Sequence, residues 1–288
     1  MKASIPVFEL HEIDGAKSAD VMIDRFADYL KRNHHLITTH RHSFYHLVYF
    51  TKGSGSQLID FENYPINPGV IYFMTPGQVH NWVFDTPPDG YILNFEPDFF
   101  HSFLADPDYL QKFSFLNSAF DTDLFTLAGE EAMEAKRIFE AAIKAKTAEN
   151  PYSDDLLRLL ILELFILVGK SCASNANQPV NYNRLLLNNF KKLLETHYKQ
   201  YQFPRDYANL LYVTPNHLNA LCKDQLGVSA GQLIRNRVLL EAKRLLVNAE
   251  FTVQQIAVDL GFKDASYFVR FFKKYEQETP EKFRKKII

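Results

Sequence analysis

Hydrophobic positions change period along the chain. From Leu36 to Phe95 they come in short runs broken by Gly and Pro: His40–Phe50 (HRHSFYHLVYF), Ser56–Asp60, Val70–Met74, Asn81–Phe84 and Tyr91–Phe95. Turns are predicted at Lys52-Gly53-Ser54-Gly55, Asn67-Pro68-Gly69 and Thr75-Pro76-Gly77. Evenly spaced short strands of this kind predict a small β-barrel or sandwich. Beyond Pro97 the period becomes helical, over Glu131–Lys146 and then Asp154–Lys170. The second helix is apolar around most of its circumference, so it belongs in a core or against a partner. The stretch Ser171–Asn181 is polar, lacks periodicity and contains Pro179, which marks a linker.

The C-terminal part repeats itself at an offset of about 50 residues. Ala208 and Leu211 correspond to Ala257 and Leu260; Leu218, Leu221, Cys222 and Lys223 correspond to Phe268, Phe271, Phe272 and Lys273. Ser229 corresponds to Thr279. Each copy reads as a short helix, a tight turn and a second helix with an apolar i, i+3, i+4 face, which is a helix-turn-helix pattern. In the second copy Thr252 and Gln255 form a capping box, Gly261 supplies a left-handed turn with Phe262 plugging the core, and Asp264 caps the next helix. At about 100° per residue, Phe268, Phe271, Phe272 and Tyr275 share one face. Ser266, Arg270 and Lys273 lie opposite, with Lys274 beside them. A helix of this kind suits the major groove, where Arg bonds guanine O6 and N7 and Lys or Ser holds phosphate. In the first copy Thr214 caps a helix with Pro215 at its first position and Gly227 just beyond its end. Leu218, Leu221 and Cys222 face inward there, leaving Asn216, Ala220 and Lys223 outward and Asn219 at the flank. Between the copies, Ser229–Asn248 reads as one long helix with Arg235, Arg237, Lys243 and Arg244. It would set the spacing of two readers entering successive major grooves about 34 Å apart.

Charge sharpens the division. The 288 residues carry a formal net charge of −2. From Asn181 onward, however, 18 Lys+Arg stand against 10 Asp+Glu, a net of +8, leaving −10 for the remainder. An acidic domain joined to a basic one points to a nucleic-acid partner. Cys172 and Cys222 are too few for a disulfide framework or a cysteine-based zinc site. Leu156–Val168 contains Arg158 and Glu163 and is too short to span a membrane. Glu9, Glu12 and Asp14 stand where a signal peptide would be basic and apolar, so a cytoplasmic protein is expected.

Four histidines stand out among the strands. His40, His42 and His46 share strand parity, and His80 follows the Pro76-Gly77 turn. This resembles the cupin pattern of H-x-H, a third ligand and a later His after P-x-G, with His46 where metal-binding cupins usually have Glu. Neutral imidazoles so placed either ligate a metal or line a pocket. No carboxylate accompanies them, so pocket lining is the expected role, with no metal and no other cofactor. The expected effector pocket comprises His40, His42, His46, Tyr72, His80 and Trp82.

The run Ile256-Ala257-x-x-x-Gly261-Phe262-x-x-x-Ser266-Tyr267-Phe268-x-Arg270-x-Phe272-Lys273-Lys274, followed by Thr279-Pro280-x-x-Phe283-Arg284, resembles the AraC/XylS family of transcription regulators. The resemblance implies an α+β chain. A cupin-like barrel with dimerisation helices (1–172) would precede an all-α domain (182–288) with two helix-turn-helix motifs joined by a long helix. It implies a non-enzymatic, homodimeric regulator that binds double-stranded promoter DNA, responds to a small-molecule effector, and has RNA polymerase as a further partner and no membrane. The family's base-reading positions fall on Asn216, Asn219 and Ala220, and on Ala265, Ser266 and Arg270, with Lys223, Lys273 and Lys274 alongside. Two departures carry expectations. Gln277 stands where the family has Gly, which predicts a differently shaped end to the second reader. Cys222 replaces the usual Phe, which predicts a smaller core under the first.

Overall fold

The computed structural model describes residues 5–14, 20–101, 103–106, 109–116, 124–148, 150–174, 182–248 and 251–287. The chain divides into two compact units, Pro6–Asn177 and a second running from Gln178 to Ile288.

The first unit is built on an eight-stranded sheet. Its strands are β1 (Val7–Phe8), β2 (Val21–Arg25), β3 (His40–His42), β4 (Tyr45–Ile59), β5 (Glu62–Ile66), β6 (Val70–Met74), β7 (Val79–Phe95) and β8 (Leu124–Thr126). Two short helices, α1 (Leu10–Asp14) and α2 (Phe26–Arg32), flank β2. β4 and β7 pair antiparallel along nearly their whole length. The sequence divides each of them into two strands, and here it is corrected. Lys52–Gly55 is no hairpin turn; it lies inside β4, opposite residues 84–89 of β7, where the ladder register shifts three times. Bulges of this kind bend both strands together and fold the sheet around its own inner face.

Alternation then assigns every residue a side. Val48, Phe50, Tyr72, Trp82 and Ile92 point inward into one cluster with Phe26, Tyr29 and Phe44 from outside these strands. Leu47, Tyr49, Ile71, Phe73, Tyr91, Leu93 and Phe95 point outward, where α3 (Gly129–Thr147) and α4 (Ser153–Ser174) cover them. Burial on both faces explains why the central strands read as continuous apolar runs. Of the expected linker, residues 171–174 continue α4, and 175–181 lie outside the described residues.

The second unit is all helical: α5 (Tyr182–His197), α6 (Pro204–Leu210), α7 (Pro215–Leu226), α8 (Ala230–Leu246), α9 (Val253–Asp259), α10 (Ala265–Glu276) and α11 (Pro280–Ile287). Helices α6–α7 and α9–α10 are the two helix-turn-helix copies. Their turns are equivalent: Val213 N donates to the Ala208 carbonyl (3.0 Å) and Phe262 N to the Ala257 carbonyl (2.9 Å). Arg237 of α8 is buried, bonded to Glu195 (2.9 Å) and Glu241 (3.0 Å) and stacked 3.9 Å from the Tyr198 ring centroid. Arg244 is buried as well. Part of the basic surplus counted in this region is therefore internal structure. Arg284 donates to the Leu246 (2.9 Å) and Phe251 (2.7 Å) carbonyls, tying α11 to the end of α8.

Candidate DNA-reading helices and the barrel interior

Helix α10 begins where Asp264 accepts from Tyr267 N (2.7 Å), downstream of the capping box of Thr252 and Gln255. Such caps contribute about 1 kcal/mol each. Phe268 and Phe272 are completely buried, each adding about 1.5–3 kcal/mol through burial. Phe262 fills the space beneath the turn, with its ring 5.2 Å from Phe268 and 5.1 Å from Phe271. Ser266, Arg270, Lys273 and Lys274 are exposed and Ala265 is half-buried. Arg270 and Lys273 have no ion-pair partner among the described residues. The expected inward Tyr275 sits instead at the edge of the face, exposed and 5.2 Å beneath the Arg235 guanidinium.

Gln277 ends α10 in the left-handed conformation (φ 60°) and its Nε2 donates to the Lys274 carbonyl (3.0 Å). Gly227 ends α7 the same way (φ 73°). The second reader is thus terminated like the first, contrary to the expectation from its missing glycine, because the helix end imposes the conformation on whichever residue stands there.

On α7, Asn216, Ala220 and Lys223 are exposed and Asn219 is half-buried, while Leu218, Leu221 and Cys222 are buried. Burial raises the Cys222 thiol to about 11. His217, exposed on the first turn of α7, and Tyr207, whose hydroxyl bonds the Tyr201 carbonyl (2.8 Å), lie outside the sequence-derived set.

In the barrel, His40, His42, His46, His80 and Trp82 come together and are buried. Ring centroids are 4.6 Å apart for His40–His42, 4.2 Å for His40–His80 and 4.9 Å for His42–His46. Trp82 lies 5.5 Å from His80. Tyr72 shares the interior, but its described partners are the Phe50 ring (5.8 Å) and the Pro65 carbonyl, not the histidines. Desolvation lowers all four imidazoles: His40 to about 4, His46 to about 3, and His42 and His80 well below their usual value. They are neutral at pH 7.

Two further polar residues escaped the sequence reading. Asn94 Oδ1 is 2.7 Å from His46 Nδ1, and Gln57 donates to the Met74 sulfur (3.6 Å). Asn94 stands at inward parity within the apolar run Tyr91–Phe95, which is the available signal for it, whereas Gln57 follows the polar stretch Lys52–Ser56 and carries none.

These geometries agree with two sequence-family models. Residues 27–165 match the AraC-like ligand binding domain, and residues 207–286 match a helix-turn-helix domain. The chain belongs to the AraC-type transcription regulators. This AraC-type regulator is 22% identical over 258 residues to the uncharacterized HTH-type transcriptional regulator YfiF of Bacillus subtilis, covering 88% of this chain and 80% of that one. It is also 22% identical over 251 residues to the HTH-type transcriptional activator RhaR of Yersinia pseudotuberculosis, covering 86% and 85%. Among solved structures, unsaturated fatty acid-bound ToxT of Vibrio cholerae aligns over 93% of this chain and 96% of its own, at 14% identity and a TM-score of 0.45. The regulator thus joins a ligand-binding N-terminal domain to a DNA-binding helix-turn-helix domain. No helix among its described residues is long and apolar enough to cross a membrane.

Proposed function

We propose that this regulator acts in the cytoplasm, without catalysis, as a homodimer on promoter DNA. It reads sequence with α7 and α10 and changes how RNA polymerase uses the adjacent promoter. The observation that carries the reading is the two-sidedness of α10: Phe268 and Phe272 anchor one side completely, while Ser266, Arg270, Lys273 and Lys274 are exposed on the other. Arg270 is the base reader, with a planar fork suited to guanine, and Lys273 is a phosphate contact. Asn216, Asn219, Ala220 and Lys223 play the corresponding parts on α7, with Ala265 at the start of α10.

The controlling small molecule enters the barrel beside the histidines and Trp82. Gln57 Oε1 and Trp82 Nε1 support this, being buried without a hydrogen-bond partner among the described residues. Dimerisation is assigned to α4. Leu157, Leu160, Ile161, Leu164 and Phe165 pack it onto the sheet, yet Leu156, Leu159 and Ile166 remain 47%, 54% and 41% exposed along its outer side. Exposed leucine and isoleucine side chains, with Glu163 among them paired to Arg137 (2.6 Å), suit a second copy of the same helix.

The deciding experiment isolates the operator by sequencing genomic DNA bound to the protein. Affinity is then measured for that operator and for scrambled DNA at two salt concentrations. Arg270→Ala should weaken operator binding by about 1–3 kcal/mol and relax discrimination at one base pair. Lys273→Ala should weaken both DNAs alike and reduce the salt slope by about 1. Equal loss on both DNAs for Arg270→Ala would make Arg270 a phosphate clamp, and no loss would remove α10 from the groove.

A further inference from the structure

We propose that the barrel binds one divalent first-row transition-metal ion on the imidazoles of His40, His42 and His80. The three residues converge from two strands. His40 and His42 share the inward side of β3, and His80 stands opposite His40 in the β3–β7 ladder. One ligand atom from each lies within 4.8 Å of the other two. An ion with nitrogen ligands at about 2.0–2.1 Å holds them roughly 3.3 Å apart in tetrahedral geometry, so modest rotation of the rings closes the set.

The orientation of the rings separates this cluster from histidines that only fill space. Nδ1 of His40 bonds the Thr38 carbonyl (2.7 Å), and Nδ1 of His80 bonds the Gln78 carbonyl (3.3 Å). A carbonyl can only accept, so Nδ1 carries the proton in both rings and Nε2 carries the lone pair. That is how outer partners fix the tautomer of metal-bound histidines. Nε2 of His40, Nε2 of His80 and both nitrogens of His42 are buried, with no hydrogen-bond partner among the described residues. Coordination would satisfy these atoms where the apolar surroundings do not. The donors are all nitrogen, which suits Zn2+, Ni2+, Cu2+ or Fe2+ and disfavours Mg2+ and Ca2+. His46 is held by Asn94, with its ring 4.9 Å from that of His42 and 5.2 Å from that of His80, and lies beside the converging set of three. The sequence-based expectation of no metal rested on the missing carboxylate, and three convergent imidazoles with one open position need none.

The inference goes beyond the assignments of DNA reading and effector binding and depends on neither, so its test uses no DNA and no organic ligand. Untagged full-length protein is stripped with a chelator, loaded with Zn2+ or Co2+, and freed of excess ion by gel filtration. Elemental analysis should find one ion per chain, and Co2+ should give the visible bands of a four- or five-coordinate nitrogen site. Since loss of even an outer partner weakens such sites by about 10–100-fold, His42→Phe and His80→Gln should each weaken Zn2+ binding by more than about 100-fold. His217→Gln, at an exposed imidazole on α7, should leave it unchanged. Loading well below one ion per chain would overturn the site, as would full retention of Zn2+ by a His40/His42/His80 triple alanine variant. Wild-type stoichiometry and the Co2+ spectrum decide the matter even where a variant fails to fold.

Discussion

Gly261 and Gly227 form a matched pair for testing what locks the second helix-turn-helix to its unit. Both adopt a left-handed backbone, at φ +75° and +73°. A β-carbon on Gly227 would meet nothing within 4 Å, whereas one on Gly261 would lie 2.0 Å from the Lys199 carbonyl oxygen. Gly227→Ala therefore incurs only the left-handed penalty of an L-residue, about 1–2 kcal/mol. Gly261→Ala incurs the same penalty and must also push the 199–202 segment away from the end of α9. That breaks the bond from Gln202 Nε2 to the Leu260 carbonyl (2.8 Å), worth about 1 kcal/mol net. It also breaks the surface pair of Lys199 and Asp259 (2.9 Å), worth at most about 1 kcal/mol. The expected loss is about 2–4 kcal/mol, a large share of a typical domain's stability. Amide hydrogen exchange across α9 and α10 in the full-length chain reads this directly as a lowered opening free energy. If Gly261→Ala costs no more than Gly227→Ala, close approach of the Lys199 carbonyl is not what requires glycine.

Three other outcomes follow from the same contacts. Leu159→Glu, placed in the exposed stripe of α4, should convert a dimer to a monomer in sedimentation at micromolar concentration while leaving the circular dichroism spectrum unchanged; a persisting dimer would exonerate α4. Gln277→Gly should stabilise the end of α10 by up to about 1 kcal/mol by relieving its left-handed backbone. A loss of protection there would mean that the Gln277–Lys274 bond outweighs the strain. In a Cys172→Ser background, Cys222 should resist an aromatic disulfide reagent at pH 8 until denaturant is added, since burial both shields the thiol and holds its pKa at about 11. Immediate modification of the folded protein would show that the core under α7 opens readily.

The helix-turn-helix copies were legible in the sequence because their determinants are local. Thr252, Gln255 and Asp264 act within four residues of themselves, and the sides of α10 follow from its own periodicity. The same locality marked Lys52-Gly53-Ser54-Gly55 as a turn, since turn residues are recognised by composition. Whether such a stretch turns or bends depends on what lies across the ladder, and residues 84–89 of the partner strand decided that. The basic surplus was equally blind to place. A count of charges cannot distinguish the exposed guanidinium of Arg270 from that of Arg237, which the tertiary structure buries between Glu195, Glu241 and Tyr198. The histidines divide the same way. Strand parity put His40, His42 and His46 on one side, as it could from the sequence alone. Only the pairing of β3 with β7 set His80 opposite His40, and only the backbone carbonyls of Thr38 and Gln78 determined which nitrogen of each ring is left to bind something else. Periodicity is a property of neighbours along the chain; pairing and burial are settled by residues far away in it.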